Sequence, residues 1–197
     1  MGKKGFTVIE LVFVLIIMAI VAAAASPMIF RGTASVTAPA LSRKVRDDVR
    51  YAQSLALIRS GLDSPASTEP AFLYRISFNI ADANCAGAGH YAITNDADRD
   101  GTWGENPNGG GTVESARDPS TGADYFCVQT DSGDYAGFTV AADFGGSVPG
   151  VIEFDNLGIP YDSDGIRLTA SKSIVLSKGG LSETISVTPN TGMVTIQ

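Results

Sequence analysis

The sequence predicts an α+β protein in which a long N-terminal helix packs on an antiparallel β-sheet. Two patterns indicate this fold class. Residues 6–60 contain an almost uncharged apolar run followed by apolar residues at three- and four-residue spacing, which is the period of a helix. From residue 71 onward, short runs rich in β-branched and aromatic residues are separated by Gly, Asn, Asp and Pro, as in a sheet of short strands. At 197 residues, the chain has room for one globular domain besides the helix.

Residues 6–30 form an apolar segment whose only charged side chain is Glu10. About 20 apolar residues cross a bilayer as a helix, so we expect this segment to be a transmembrane helix. Lys3 and Lys4 precede it, and the next basic residue is Arg31. The positive-inside rule therefore places the N-terminus in the cytoplasm and the rest of the chain on the other side of the membrane.

The composition of this segment leaves two further interpretations open. Lys3 and Lys4, the apolar core and the small residues 23–25 also fit a secretory signal peptide that is cut before Ser26. A plain membrane anchor fits as well. Neither interpretation explains Glu10, because a carboxylate in an apolar helix needs a partner.

The start of the segment supplies such a partner. The residues Gly5-Phe6-Thr7-Val8-Ile9-Glu10-Leu11 resemble the class III leader of type IV pilins and type II secretion pseudopilins. The resemblance implies that a prepilin peptidase cuts after Gly5 and N-methylates Phe6. It also implies that the new amine pairs with Glu10 of a neighbouring subunit and sets the register of a filament. A pair within one helix is in reach too, since Phe6 and Glu10 lie one turn apart.

Runs nearer the C-terminus resemble a narrower branch of that family, pseudopilin H and the FimT-like minor pilins. The runs are Phe154-Asp155-Asn156-Leu157-Gly158-Ile159-Pro160, residues 166–177, Ile185-Ser186-Val187 and Thr191-Gly192-Met193-Val194, together with residues 46–53 of the helix. Some FimT-like proteins bind DNA through arginines that follow this glycine. Met193 and Val194 stand there in this chain, so the resemblance does not extend to DNA binding.

Four segments follow from these patterns. Residues 1–5 are the cleaved leader, 6–30 the transmembrane and filament-core helix, 31–60 an amphipathic helix half, and 61–197 a β-rich, pilin-like globular head. Pro27 lacks a backbone donor, so we expect a helix kink there, with helical order resuming by Leu41. The head should contain strands near residues 72–79, 89–94, 125–130, 138–141, 151–154, 165–169, 173–177, 184–188 and 193–196.

Charge and cysteine content narrow the function classes. The net charge is -7; loss of residues 1–5 would remove two lysines and leave 12 basic and 21 acidic residues, a side-chain charge of -9. An acidic body argues against a dedicated nucleic-acid surface. Cys85 and Cys127 follow the membrane segment and should lie in an oxidising compartment, so we expect a disulfide between them, with two separate buried thiols as the alternative.

One loop has the opening spacing of a calcium site. Asp96, Asp98 and Asp100 alternate and a glycine follows, as in an EF-hand loop. The twelfth position is Pro107 rather than a bidentate glutamate, so the site would have to be closed by Glu105, Asn95, Asn106 or a distant Asp. Calcium is therefore one interpretation, and an acidic surface loop without metal is the other. The shorter run at residues 162–165 is interpreted as a turn.

No pattern indicates catalysis: His90 is the only histidine and no nucleophile motif surrounds it. We expect a structural subunit, a minor pilin or pseudopilin of a type IV pilus or type II secretion pseudopilus, and not an enzyme. Its expected partners are the prepilin peptidase, other pilin or pseudopilin subunits, and the inner membrane before assembly. The head would then be periplasmic, and the assembled form a periplasmic pseudopilus or an extracellular pilus. The alternatives are a major pilin, or a periplasmic or secreted, calcium-stabilised binding domain with an ordinary signal peptide.

Overall fold

A computed structural model describes residues 8–30, 37–59, 74–87, 89–96, 102–105 and 114–197. The chain forms two compact units, Met1–Ser35 and Val36–Gln197. The first unit contains helix α1, Val8–Phe30, and the second contains helix α2, Ala38–Arg59, and every described β-strand. The α+β class is as predicted.

Helix α1 is 23 residues long and includes Pro27, so the helix does not end at this proline. The predicted kink stays a prediction. Thr37 is not helical, and helical order resumes at Ala38, within the expected limit. The Thr37 carbonyl accepts hydrogen bonds from the N–H groups of Ala40 (3.0 Å) and Leu41 (3.1 Å) and so starts α2. Pro39 lies in the first turn, where the missing N–H has no partner to lose.

The described strands form two antiparallel sheets rather than the single predicted sheet. One has the order β3-β2-β1-β5-β6 and the other the order β4-β7-β8-β9. The strands are β1 Tyr74–Phe78, β2 His90–Thr94, β3 Phe126–Gln129, β4 Thr139–Asp143, β5 Val151–Phe154, β6 Pro160–Tyr161, β7 Lys172–Lys178, β8 Leu181–Val187 and β9 Val194–Ile196; a short 3-10 helix, Gly133–Tyr135, precedes β4. Local patterns predicted most strands, but not which sheet each one joins.

The strand predicted at residues 165–169 is wrong. Asp162 Oδ1 accepts hydrogen bonds from the N–H groups of Asp164 (3.0 Å) and Ile166 (2.9 Å), which bends the chain into a turn. Only a single bridge, between Tyr161 and Arg167, links this stretch to a neighbour. The interpretation of residues 162–165 as a turn matches this geometry.

The core lies between α2 and the two sheets. The inward face of α2 has fully buried apolar residues at helical spacing, namely Leu41, Val45, Val49, Ala52 and Ala56. Alternate strand residues meet this face, among them Ile76, Ile152, Ile174 and Ile185. Burying one side of each element in this way removes apolar area from water, which is the main term favouring the fold.

Candidate functional site

The surface of α1 is the first candidate site, because its apolar side chains between Val8 and Val21 face solvent on every side of the helix. Val8, Phe13 and Met18 are 81%, 61% and 68% exposed, and the other large apolar residues up to Val21 are exposed as well. A helix that is hydrophobic all round is normally buried, in a protein core or in lipid. The isolated chain leaves this surface uncovered. Within the described residues, no helix is both long enough and apolar enough to cross a membrane.

Glu10 lies in the first turn of α1, and its side chain is exposed. A carboxylate is favourable there, because the unpaired N–H groups give a helix N-terminus a partial positive charge. Gly5 and Phe6, the predicted cleavage pair, lie outside the described residues. The pairing of the Phe6 amine with Glu10 therefore stays a prediction.

The second unit contains the predicted disulfide between Cys85 and Cys127, whose Cα atoms are 5.3 Å apart. It ties the connection between β1 and β2 to strand β3, across 42 positions of sequence. Both cysteines lie in the part of the chain that the C-terminal resemblance does not cover. The crosslink restrains this central region on the side of the five-stranded sheet away from α2.

The structure describes only part of the predicted calcium loop. Asp98 and Asp100 fall outside the described residues, while Asp96 and Glu105 are half-buried. Backbone hydrogen bonds link the loop ends: Gly104 N–H donates to the Asn95 carbonyl, and Glu114 N–H donates to the Glu105 carbonyl. Within the described stretches, no cluster of three or more His, Cys, Asp or Glu side chains is arranged to hold a metal ion. Calcium binding remains a prediction.

His90 is buried, and both ring nitrogens face carbonyl oxygens. Nδ1 lies 3.1 Å from the Gly87 oxygen, and Nε2 lies 2.9 Å from the Ile80 oxygen. The ring therefore ties down the connection between β1 and β2. This is a structural role.

A buried polar cluster that sequence reasoning missed joins α2 to the five-stranded sheet. The Tyr91 hydroxyl donates to Asp48 Oδ2 at 2.5 Å, and Lys44 Nζ lies 3.0 Å from the same oxygen. Burial raises the pKa of Asp48, and the contacts with Tyr91 and Lys44 oppose that rise. Burial, together with the charge of Asp48, raises the pKa of Tyr91 well above its usual value. The helical spacing of Lys44 and Asp48 was visible in the sequence, but their partner lies 43 positions away.

A second missed cluster lies on the opposite face of the same sheet. Arg75 of β1 lies across from Glu153 of β5. The Arg75 guanidinium is 4.7 Å from the ring centre of Trp103, and its Nε donates to Thr94 Oγ1 at 3.3 Å. Burial raises the pKa of Glu153 to about 7; Arg75 opposes this rise, and the acidic residues at positions 162 and 164 add to it. Alternation along β1 predicts an outward Arg75, but nothing local marks its partners.

Three runs of the resemblance to pseudopilin H and the FimT-like minor pilins, residues 46–53, 154–160 and 191–194, meet at one junction. Gln53 of α2 donates from Nε2 to the carbonyls of Gly158 (2.8 Å) and Thr191 (2.9 Å). Gly192 has a φ of +61°, and a Cβ there would lie 2.9 Å from the backbone oxygen of Gly158. Glycine is therefore required at this position for both conformation and space. Leu157 and Met193 are exposed beside the junction.

These features define an α+β protein with a β-rich second unit and an exposed, apolar N-terminal helix. Residues 1–26 match the family model described as the prokaryotic N-terminal methylation motif. The match supports a type IV pilin-like precursor that a prepilin peptidase processes, and it covers only the N-terminal end of the chain. No curated protein and no solved structure shows a significant match. The finer resemblance to pseudopilin H and FimT-like proteins therefore stays a prediction.

Proposed function

We propose that the protein is a structural subunit, a minor pilin or pseudopilin, of a type IV pilus or a type II secretion pseudopilus. The observation that carries this proposal is the apolar surface of α1, which is exposed on all sides between Val8 and Val21. This helix overlaps the match to the methylation motif at residues 1–26. Apolar surface of this kind favours burial by roughly 25 cal/mol for each Å². A helical filament core provides that burial, because each subunit contributes one such helix to it.

The same surface serves two stages. Before assembly, the helix of residues 6–30 holds the subunit in the inner membrane, with its N-terminus cytoplasmic and its head periplasmic. During assembly, the helix leaves lipid and packs against the helices of other subunits. Lipid and the filament core are both apolar, so the side chains of the helix stay shielded from water during the transfer. Membrane storage and filament assembly are therefore compatible in one segment.

Glu10 supplies specificity that apolar contacts lack. Its position in the first turn of α1 places the carboxylate near the end at which cleavage after Gly5 would create a new amine on Phe6. In a filament core, an unpaired carboxylate would cost several kcal/mol, so only a register that pairs it with an amine is stable. The amine of a neighbouring subunit meets this need when the helices are staggered.

Replacement of Glu10 tests the assembly role. Glu10→Ala and Glu10→Gln should still be cleaved and methylated, since the cleavage junction is unchanged. Incorporation into filaments should fall at least about tenfold, which corresponds to the loss of about 1.4 kcal/mol or more of pairing energy. The matched control is Asp124→Ala, which removes an exposed carboxylate outside both helices. Sheared filament fractions would be quantified against total processed protein, and normal incorporation of both Glu10 variants would refute the pairing.

A further inference from the structure

Charge is distributed very unevenly along the chain. Residues 31–60 contain six basic and two acidic residues, a net charge of +4. Residues 61–197 contain six basic and eighteen acidic residues, a net charge of -12. The acidic chain therefore includes one basic helical segment, which overlaps α2.

The structure places three of these cations on the outward side of α2, where Arg43 and Arg50 are exposed and Arg46 is half-buried. Arg43, Arg46 and Arg50, here called the basic stripe, recur at three- and four-residue spacing and so share one face of the helix. Arg46 pairs with the neighbouring Asp47 at 2.8 Å, and Arg50 donates to the carbonyl of Val194 at 2.7 Å. Arg43 has no carboxylate partner within the described ranges. The stripe keeps a net positive charge directed at solvent.

Most carboxylates of the β-rich part already have local partners. Asp118, Asp155 and Asp162 accept hydrogen bonds from the backbone of their own turns. Asp124 lies 3.8 Å from Arg117, and Asp164 accepts from Ser147. These groups fix loops and are poorly placed to bind a partner.

Two exposed carboxylates of the described β-rich part differ. Asp131 and Asp134, here called the acidic corner, are exposed on the connection between β3 and β4, and neither has a hydrogen bond or an ion pair with the described residues. Asp131 also lines a cavity of about 420 Å³. Lys178 lies nearby, but its ammonium is bound to the Ala136 carbonyl at 2.7 Å and lies over the Phe138 ring. The corner therefore offers negative charge beside a recess that can receive a side chain.

We propose that the basic stripe of one copy of this chain docks on the acidic corner of a second copy. Both surfaces are exposed in the single chain, so they do not satisfy each other within it. They are also different patches, and a contact between unlike patches repeats from copy to copy and generates an open helical filament. Complementary charge steers the subunits and fixes their orientation. The inference rests on the proposed filament function, and it requires that two copies of this chain are neighbours in the filament; it adds a contact made by the heads.

A photo-crosslinking residue in place of Ala40 tests this contact. Ala40 is exposed and lies one turn before Arg43 on the same face. In the full chain, produced in its native cells, we expect crosslinks to a peptide of a second copy that contains residues 131–134. The double variant Arg43→Glu/Arg50→Glu should reduce this product at least about fivefold. Asp131→Lys/Asp134→Lys should do the same, and the combination of both doubles should restore at least half of it.

Arg117→Glu/Arg167→Glu is the matched control, because it changes the charge by the same amount at exposed arginines outside the stripe. It should leave the crosslinked product unchanged. An equal loss in this control, failure of the combined variant to restore the product, or crosslinks mainly to lipid, nucleic acid or another protein would overturn the proposal.

The mass of the N-terminal peptide is measured in every sample. If Phe6 is methylated but the charge variants leave the crosslinks unchanged, the head contact is rejected and the filament function is not. An unprocessed chain rejects the filament function, whatever the crosslinks show.

Discussion

The pKa of Glu153 predicts how the stability of the folded chain depends on pH. This carboxyl has a pKa of about 7 in the folded state, against an ordinary 4.5, mainly because it is buried. Between these two values the folded state binds more protons than the unfolded state does. The free energy of unfolding contributed by Glu153 therefore falls as pH rises from about 4.5 to 7. At roughly 1.4 kcal/mol for each pH unit, the loss amounts to at most about 3 kcal/mol.

Replacement by Gln removes the titration and keeps the shape. Glu153→Gln should flatten this part of the pH profile, and at pH 8 the variant should be more stable than the parent by up to about 3 kcal/mol. Trp103, the only tryptophan, stacks on Arg75 within the same cluster, so its fluorescence reports the unfolding in urea. Glu183→Gln on β8 makes the same substitution outside this cluster and is the control. Parallel profiles for the parent and Glu153→Gln, or a less stable variant at pH 8, would refute the reasoning.

Three further changes test other parts of the structure. Tyr91→Phe removes a buried hydrogen bond to a carboxylate and should lower the free energy of unfolding by about 2 kcal/mol. Tyr161→Phe is the control: it removes a less buried hydrogen bond of 3.2 Å and should lower the free energy of unfolding by less than about 1 kcal/mol. Equal losses for the two variants in urea titrations would contradict this expectation. Replacing Cys85 and Cys127 by Ser opens a long loop and should lower the stability by about 3 to 4 kcal/mol, measured under the same conditions. If residues 96–105 bind calcium, chelation should lower the melting temperature by several degrees, and an unchanged melting temperature would count against a stabilising site.

Local patterns in the sequence predicted much of the fold. The buried face of α2 repeats every three or four residues, and eight of the nine observed strands fall in or beside the predicted ranges. The exception is Pro160–Tyr161, a two-residue strand too short to produce alternation. Its neighbour, predicted as a strand, is a turn because the Asp162 side chain binds backbone N–H groups. Side-chain capping of this kind competes with strand pairing and leaves a weaker signal than periodicity.

Contacts between distant segments could not be predicted. The division into two sheets depends on which strands pair, and no single segment contains that information. In the sequence, Asp48 is one more charge on an amphipathic helix. Its contact with Tyr91 is visible only in the folded chain. Likewise, Gln53, Gly158 and Gly192 each belonged to a separate run, and only the folded chain shows that they form one junction.

At the N-terminus, the sequence is more informative than the structure. The sequence predicts Gly5 and Phe6 as a processing site and Phe6 and Glu10 as an assembly site, and the matched methylation motif spans these residues. The described structure begins at Val8, so it adds the exposed apolar surface of α1 but not the cleavage junction. Chemistry at this junction has to be measured on the protein itself.

The intact mass of the mature chain is the most direct test of the filament subunit hypothesis. We predict a chain that begins at Phe6 and has one methyl group on its terminal amine. A chain that begins at Ser26 would show that the first 25 residues are an ordinary signal peptide, and it would contradict the filament hypothesis.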